Sequence, residues 1–385
     1  MDFQLTEEQR IALDAFARFA EAEIRPITDR HRERPIPHDV AIDLLRALVP
    51  YGVVGGWLPE SAGGVGLDMV TSGLLYEELA RVSPDLAGTA FINEGVSLTL
   101  HALASPEQQA RLLPRLLAGE IVGCSAITEP DVGSNVRDVK TTATRDGDEY
   151  VIRGEKTWIS NGGISDFVVV VARSGPGEIS LFLVEREAHG YTSRDLPKLG
   201  LNGWSTAELS FDEVRVPAAN LLGRPGAGLR ETLRLFERAR CFVAVISIGI
   251  ARAALDAAIV YARDRRQWGK PIGGHQLIQE MIADMATDLD AARLLTVRGL
   301  ALVQAGVRCE AETSMAKWYA TEAAVRIASS AIQVHGAYGL SRELPVEQHF
   351  RDARMMTIPD GTTQIQKLII ARKLLGIDAF GPREG

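Results

Sequence analysis

Three long stretches of helical periodicity in the C-terminal third constrain this chain more than any other feature. Glu231–Trp268, Gln276–Ala305 and Ala311–Val334 each repeat apolar side chains three and four positions apart. In the first, Phe236, Ala239, Val243, Ile246, Ile250, Ala253, Leu255 and Ile259 form the inner faces. A fourth stretch, Thr362–Leu375, ends at Gly376 as a helix C-cap should. Segments of ~30 residues make rods of ~45 Å, longer than one small core requires. Joined by short connections, the four predict an up-down four-helix bundle over 230–385. Rods of that length pack readily against copies of themselves, so an oligomer is expected.

Upstream the period changes twice. As far as Gly119 the pattern is helical. Thr6 can cap a helix carrying Ile11, Leu13, Phe16, Phe19 and Ala20, which Pro26 ends or kinks. His38–Leu48, Met69–Val82, Asp85–Leu103 and Pro106–Ala118 follow, predicting an α-helical domain over 1–119. From Ile121 the runs become short and β-branched: 121–128, 140–144, 149–153, 167–172, 179–184 and 207–214. Asp146-Gly147 marks a hairpin between two of them. No helical pattern separates these strands, which argues against a doubly wound parallel sheet. An antiparallel β-sandwich or barrel over 120–229 fits better, closing near Gly223-Arg-Pro-Gly-Ala-Gly228. The fold class is therefore α+β: a helical domain, a β domain and a four-helix bundle.

Composition excludes several classes of function. At 385 residues and 46% hydrophobic, the chain can bury a large core. A net charge of −8 offers no basic field to nucleic acid or to an anionic membrane. Cys124, Cys241 and Cys309 are odd in number and scattered, which points to a reducing, cytoplasmic setting. The histidines show no metal-ligand spacing, so no metal is expected. The acidic start, Met1-Asp-Phe-Gln-Leu-Thr-Glu-Glu, does not read as a signal peptide. No apolar run approaches the ~20 residues of a membrane span.

Two loops remain to be explained. Asp360-Gly-Thr362 stands before the closing helix, where a carboxylate meets exposed N–H groups; the plain reading is that Asp360 or Thr362 caps that helix. Within it Ile365, Leu368, Ile369 and Leu375 form the apolar stripe, with Gln366, Lys367 and Lys373 on other faces. Pro59–Gly66 is glycine-rich, but its spacing matches neither a dinucleotide motif nor a P-loop and reads as a turn. No Gly-x-Gly-x-x-Gly lies on a strand-to-helix turn, so no Rossmann site is legible.

Several ordered motifs carry a resemblance that covers nearly the whole chain. They are Pro59-Glu-x4-Val-Gly-Leu67 with Glu77-Glu78-Leu-Ala-Arg81; Ala126-Ile-Thr-Glu-Pro-Asp-Val-Gly-Ser134-Asn-Val-Arg-Asp138; Gly154-x-Lys156-x-Trp158-Ile-Ser-Asn161-Gly; Arg265-Arg-Gln-Trp-Gly-Lys-Pro-Ile272 with Gln276; and Gln333-Val-His-Gly336-Ala-Tyr-Gly339. Together they resemble the acyl-CoA dehydrogenase family. The resemblance implies FAD held between the β domain and the bundle, with a neighbouring subunit of a homotetramer (or dimer) completing the site. It implies an acyl-CoA substrate and an electron-transfer flavoprotein as partner. Thr128, Ser134, Trp158 and Ser160 would lie on the flavin and its ribityl side, an apolar plane with hydrogen-bonding groups beside it. Arg265, Trp268, Gln276, Gln333, Gly336, Thr362 and Gln364 would line the rest of the cofactor. Ser134, Glu94, Arg240, Gly361 and Arg372 would face the substrate.

In the family a carboxylate removes the α-proton of the thioester while a hydride leaves the β-carbon for flavin N5. Hydrogen bonds to the thioester carbonyl stabilise the enolate-like charge. Most members carry Tyr-Glu-Gly-Thr where this chain has Pro359-Asp360-Gly-Thr, so the base would be Asp360, one methylene shorter. Some relatives place the base on the first bundle helix, at a position that is Ala239 here. Three readings stay open: Asp360 is the base, Glu94 or Asp85 takes the role, or the scaffold runs flavin oxygen chemistry. The rival functions are a flavin monooxygenase or oxidase, a dehydrogenase of carrier-bound acyl groups, and a non-catalytic acyl-thioester or flavin-binding protein. Asn135 and Gln348 are lesser departures from the family pattern. Bulky Phe91, Phe242 and Trp204 suggest a branched or cyclic acyl group.

Overall fold

Thr6 and Gln9 close a capping box, and α1 (Glu7–Phe19) begins there in the computed structural model, which describes residues 5–379. Pro26 does not stop this helix. A π turn over Ala20–Ile24 accommodates the missing N–H, and the helix resumes as α2 (Arg25–Thr28). α3 (His38–Leu48), α4 (Met69–Val82), α5 (Pro84–Leu103) and α6 (Pro106–Leu117) follow within a residue or two of their sequence-predicted limits. The buried faces of α1, α3, α4 and the first half of α5, with Leu45, Tyr76 and Leu79, join Phe242, Ile246, Ala324 and Ile327 in one continuous core. These helices and the bundle therefore share one apolar unit, while α6 packs on the β domain.

The β domain contains β1 (Gly123–Ala126), β2 (Thr142–Asp146), β3 (Glu149–Ser160), β4 (Phe167–Gly175), β5 (Glu178–Glu185), a single turn α7 (Arg186–His189), β6 (Thr192–Asp195), β7 (Thr206–Pro217) and β8 (Leu221–Leu222). Strand order is β6-β7-β3-β2-β4-β5-β8, with β1 beside β4. Pairing is antiparallel except for β1–β4 and β2–β4. Asp146 pairs with Glu149 across the β2–β3 turn, where Gly147 takes φ +60°. β2 meets β4 at one pair only, Thr142 with Arg173. Tyr150 of β3 and Phe182 of β5 nonetheless meet, ring against ring, with centroids 4.8 Å apart and planes tilted by 60°. Three strand spacings of a flat sheet would hold them ~14 Å apart, so the sheet closes on itself at that seam. Val168, Val170 and Ala172 of β4 face this interior, whereas Phe167, Val169 and Val171 pack on α5 and α6. Burial on both faces is why β4 reads as an unbroken apolar run. β6, a polar edge strand, carried no such pattern.

The bundle consists of α8 (Gly228–Asp264), α9 (Gln276–Gln304), α10 (Glu310–His335), α11 (Val346–Met356) and α12 (Thr363–Leu375). β9 (Arg266–Gln267) and β10 (Lys270–Pro271) form a small hairpin after α8. α11, left unassigned by the sequence reading, is mostly polar and turns Val346, Ala353 and Met356 inward. α8 holds an apolar window of mean hydropathy 2.0, long enough to cross a bilayer, but 67% of it is buried against the rest of the fold. Gly249 lets α8 approach α4, since a Cβ there would lie 2.6 Å from Glu77 O. Glu77 and Glu78, part of the first motif, tie α4 to Arg293 of α9 and Arg252 of α8.

Candidate active site

Thr357–Thr362 joins α11 to α12 and carries Asp360. Thr362 is the cap: its Oγ1 accepts the Ile365 N–H at 3.4 Å. Asp360 is thereby free of that duty. Among the described residues its carboxylate has neither a hydrogen bond nor an ion pair, and the side chain is half-buried. Asp360 and Gly361 adopt successive left-handed conformations, φ +52° and +91°. A non-glycine residue held there costs roughly 1–3 kcal/mol and persists only if neighbours enforce it.

Two buried side chains do so. Lys317 of α10, fully inside the fold, donates from Nζ to Thr357 O at 3.1 Å and to Gly361 O at 3.0 Å. Gln366 of α12 donates from Nε2 to Asp360 O at 3.0 Å and Gly361 O at 2.9 Å. A Cβ on Gly361 would sit 2.6 Å from that Nε2, so only glycine fits. Gln366 therefore faces inward, contrary to the sequence reading. α12 buries Thr363, Gln366 and Ile370, while Leu375, expected on the apolar stripe, is exposed. Burial pushes the Asp360 carboxyl above its ordinary range, and Lys317 and then Arg240 pull it back. Burial brings Lys317 down to about 8, against the carboxylates of Asp360 and Glu322. Arg240 is buried on α8, with Nε and Nη1 unpartnered.

The two other candidate bases are occupied. Glu94 accepts the N–H groups of Gly55 at 2.6 Å and Trp57 at 3.0 Å, and burial raises it to about 7. Asp85 accepts the Trp204 N–H at 2.9 Å, which fixes the turn after Leu201. Burial, followed by the charge of Asp85, drives the adjacent Asp352 upward too. Arg372 is not brought to Asp360. It lies roughly 14 Å along α12 from Thr363, paired with Glu310 at 3.4 Å and Asp378 at 3.7 Å.

The rim of the β domain presents a second group. Lys156, fully buried, pairs with Glu129 at 2.8 Å and donates to Ile127 O at 3.0 Å. Glu129 also accepts the N–H groups of Lys140 and Thr141. Thr128 O accepts from Thr157 N–H at 3.0 Å. The loop bearing Thr128 and exposed Ser134 is thus pinned to β3. A register shift between Lys156 and Ile159 turns Trp158 outward with φ +60°, 55% exposed, while Ser160 at the strand end is half-buried. Lys156→Met leaves Glu129 buried and unpaired. It is expected to cost about 3–5 kcal/mol in urea unfolding.

A third group lies at the far end of the bundle. Arg265, Trp268, Gln333 and Gly336 line a cleft of about 460 Å³ with His275 and Tyr338. Arg265 stacks over the Tyr338 ring at 5.6 Å, and His275 Nε2 is buried without a partner. Trp268, at the hairpin tip, is 92% exposed. Gln276 opens α9 beside His275, and Gln364 is exposed on α12. A cation, an amide and an unpaired ring nitrogen in one cleft fit the phosphate-and-base part of a nucleotide.

The family models for the acyl-CoA dehydrogenase N-terminal, middle and C-terminal domains match residues 6–120, 124–214 and 226–375 in that order. The chain belongs to the acyl-CoA dehydrogenase family. It is 37% identical to a probable acyl-CoA dehydrogenase, YngJ, of Bacillus subtilis, over 97% of this chain and 100% of that protein. The solved butyryl-CoA dehydrogenase of Megasphaera elsdenii superposes with a TM-score of 0.92 at 31% identity, covering 97% and 100% of the two chains. A glutaryl-CoA dehydrogenase of Mycobacterium smegmatis in complex with FADH2 gives 0.90 at 29% identity, covering 98% and 97%. This is an oxidoreductase of acyl-CoA thioesters, and its cofactor is FAD.

Sequence reasoning overlooked Lys317, Gln366 and Glu129. For Lys317 a signal existed. It falls in phase with Thr313, Ala320, Ala324 and Ile327, a lysine on the core-facing stripe of an amphipathic helix.

Proposed function

We propose that this acyl-CoA dehydrogenase removes the α-proton of its thioester with Asp360 and passes the electrons to an electron-transfer flavoprotein. One observation carries the assignment: of Asp360, Glu94 and Asp85, only Asp360 has both carboxylate oxygens unengaged. Partial burial strengthens it as a base, and Lys317 and Arg240 keep it ionised enough to act. Among the described residues the Asp360 N–H donates to no backbone carbonyl, so it can reach the thioester oxygen as negative charge develops there. Bound FAD supplies the acceptor for the β-hydrogen and its electron pair. Thr128, Ser134, Trp158, Ser160, Thr362 and Gln364 would hold the flavin half, and Arg265, Trp268, Gln276, Gln333 and Gly336 the rest. Arg240 and Gly361 would meet the thioester.

The exposure of Trp268 at 92% and of Leu374 at 73% supports a homotetramer in which such surfaces meet another subunit. Three buried free thiols support a cytoplasmic setting.

The test is an anaerobic titration of the FAD-loaded enzyme with straight-chain, branched and cyclic acyl-CoAs. At least one is expected to bleach the oxidised flavin. If none does, the assignment fails.

A further inference from the structure

Asn161 closes the motif that carries Trp158 and Ser160, and the proposed chemistry leaves it unused. It is fully buried and left-handed, with φ +62°. Every polar group it has is engaged. Its Nδ2 donates to Thr89 O of α5 at 3.1 Å and to Gly123 O of β1 at 3.4 Å. Its Oδ1 accepts the Trp204 indole Nε1–H at 3.0 Å. Its N–H donates to Ser205 O at 2.8 Å, and its carbonyl accepts the Ile164 N–H at 3.1 Å.

Trp204 belongs to the segment that joins β6 to β7, and that segment is fastened to two helices. Asp85 of α5 accepts the Trp204 N–H at 2.9 Å, and a Cβ on Gly88 would lie 2.6 Å from the indole ring. Asp352 of α11 accepts the Leu201 N–H at 2.6 Å, and Arg351 Nη1 donates to Leu199 O at 3.2 Å. The Trp204 N–H also reaches Leu201 O at 3.1 Å. α11 ends at Met356, where the turn bearing Asp360 begins. A line of buried polar contacts therefore runs from the end of β3, through Asn161 and Trp204, to the helix that leads into the base. Apolar surfaces can shift against each other at small cost. Buried directional bonds, expensive to leave unmade, hold a distance.

We propose that Asn161 and Trp204 are positioning residues, and that their hydrogen bond fixes the distance between the flavin-facing end of β3 and the turn that carries Asp360. Transfer of the β-hydride depends on that distance. Removal of the α-proton depends on the turn and the thioester alone. The inference rests on the reading of Asp360 as the base.

The experiment compares native holoenzyme with Asn161→Gly and Trp204→Phe. Glycine keeps the left-handed backbone and removes the amide; phenylalanine keeps a ring against Gly88 and removes the N–H. Butyryl-, isobutyryl- and cyclohexane-1-carbonyl-CoA serve as probes, and three quantities are read. The first is the anaerobic rate of flavin reduction. The second is α-deuterium uptake from D2O by the same thioesters on dithionite-reduced holoenzyme, where no hydride can be accepted and exchange reports the base alone. The third is the visible circular dichroism of the oxidised bound flavin. Both variants are expected to reduce about 10- to 100-fold more slowly, as for a misplacement of about 1 Å between reacting groups. Their flavin dichroism is expected to change, while α-exchange stays near the native rate. If Asn161→Gly fails to retain FAD, Trp204→Phe decides alone. Native reduction rates and dichroism in the variants overturn the inference, and so do reduction and exchange falling together. If exchange requires Asp360 yet the variants reduce at the native rate, this inference falls and the assignment of the base stands. If Asp360→Asn exchanges as fast as the native enzyme, or no probe reduces the native flavin, both fall.

Discussion

Asp360→Asn is expected to slow flavin reduction by acyl-CoA about 10²- to 10⁴-fold while leaving the fold intact. The substitution keeps the shape of the side chain and removes only its ability to accept a proton. No hydrogen bond is lost, because the carboxylate holds none; the turn is fixed through main-chain carbonyls by Lys317 and Gln366 and capped by Thr362. Asparagine also tolerates the left-handed φ of +52° better than most residues. Thermal unfolding should therefore stay within about 0.5 kcal/mol of the native enzyme, as for substitutions that disturb no packed or paired group. Stopped-flow reduction under anaerobic conditions is the decisive measurement. An Asp360→Asn enzyme that reduces at the native rate would place the base elsewhere.

Lys317→Met should impair both stability and rate, and in a manner that separates positioning from packing. Without Nζ, Thr357 O keeps only the Thr363 N–H and Gly361 O only Gln366, so two buried hydrogen bonds are lost, at about 0.5–1.5 kcal/mol each. The turn carrying Asp360 loses one of its two clamps, and a displacement of about 1 Å at a reacting group can lower turnover ~10²-fold. The pH dependence is the specific signature. A nearby cation favours the carboxylate, so its removal raises the Asp360 pKa and moves the acid limb of the rate profile to higher pH. Lys317→Arg, which keeps the charge, should not move that limb. Stability gives a second check. Burial lowers Lys317 from 10.5 to about 8, so between those values the unfolded chain binds more protons and native stability climbs with pH. Lys317→Met should abolish that climb. A native acid limb in Lys317→Met would reduce Lys317 to a packing role.

Much of this architecture is legible because it is local. The limits of α4, α5, α9, α10 and α12 follow from apolar spacing, as the start of α1 follows from Thr6 and the end of α12 from Gly376. The β2–β3 hairpin follows from Asp146-Gly147 and a change of period. Such signals sit within a few residues of what they describe. α11 and β6 escaped because they are polar and short and bury too little to leave a pattern.

What escaped the sequence is what contacts across long separations create. Pattern alone put Gln366 off the apolar stripe, on a face where polarity normally means water. In the fold that amide is wholly buried, and its partners are carbonyls five and six residues back on a reversed turn. Lys317 reaches the same turn across 40 and 44 positions. The closure of the sheet shows in the Tyr150–Phe182 contact and not in any strand's own composition. The sequence by itself determined the order of helix, strand and helix, the family, and a carboxylate placed ahead of a capped helix. The tertiary structure alone decided that Thr362 caps that helix, that Glu94 and Asp85 are taken by backbone N–H groups, and that Asp360 is left unpaired in a turn held from two sides. The reason is physical. Periodicity reports which face of an element is apolar, whereas the partner of a buried polar group is chosen by whichever distant chain folds against it.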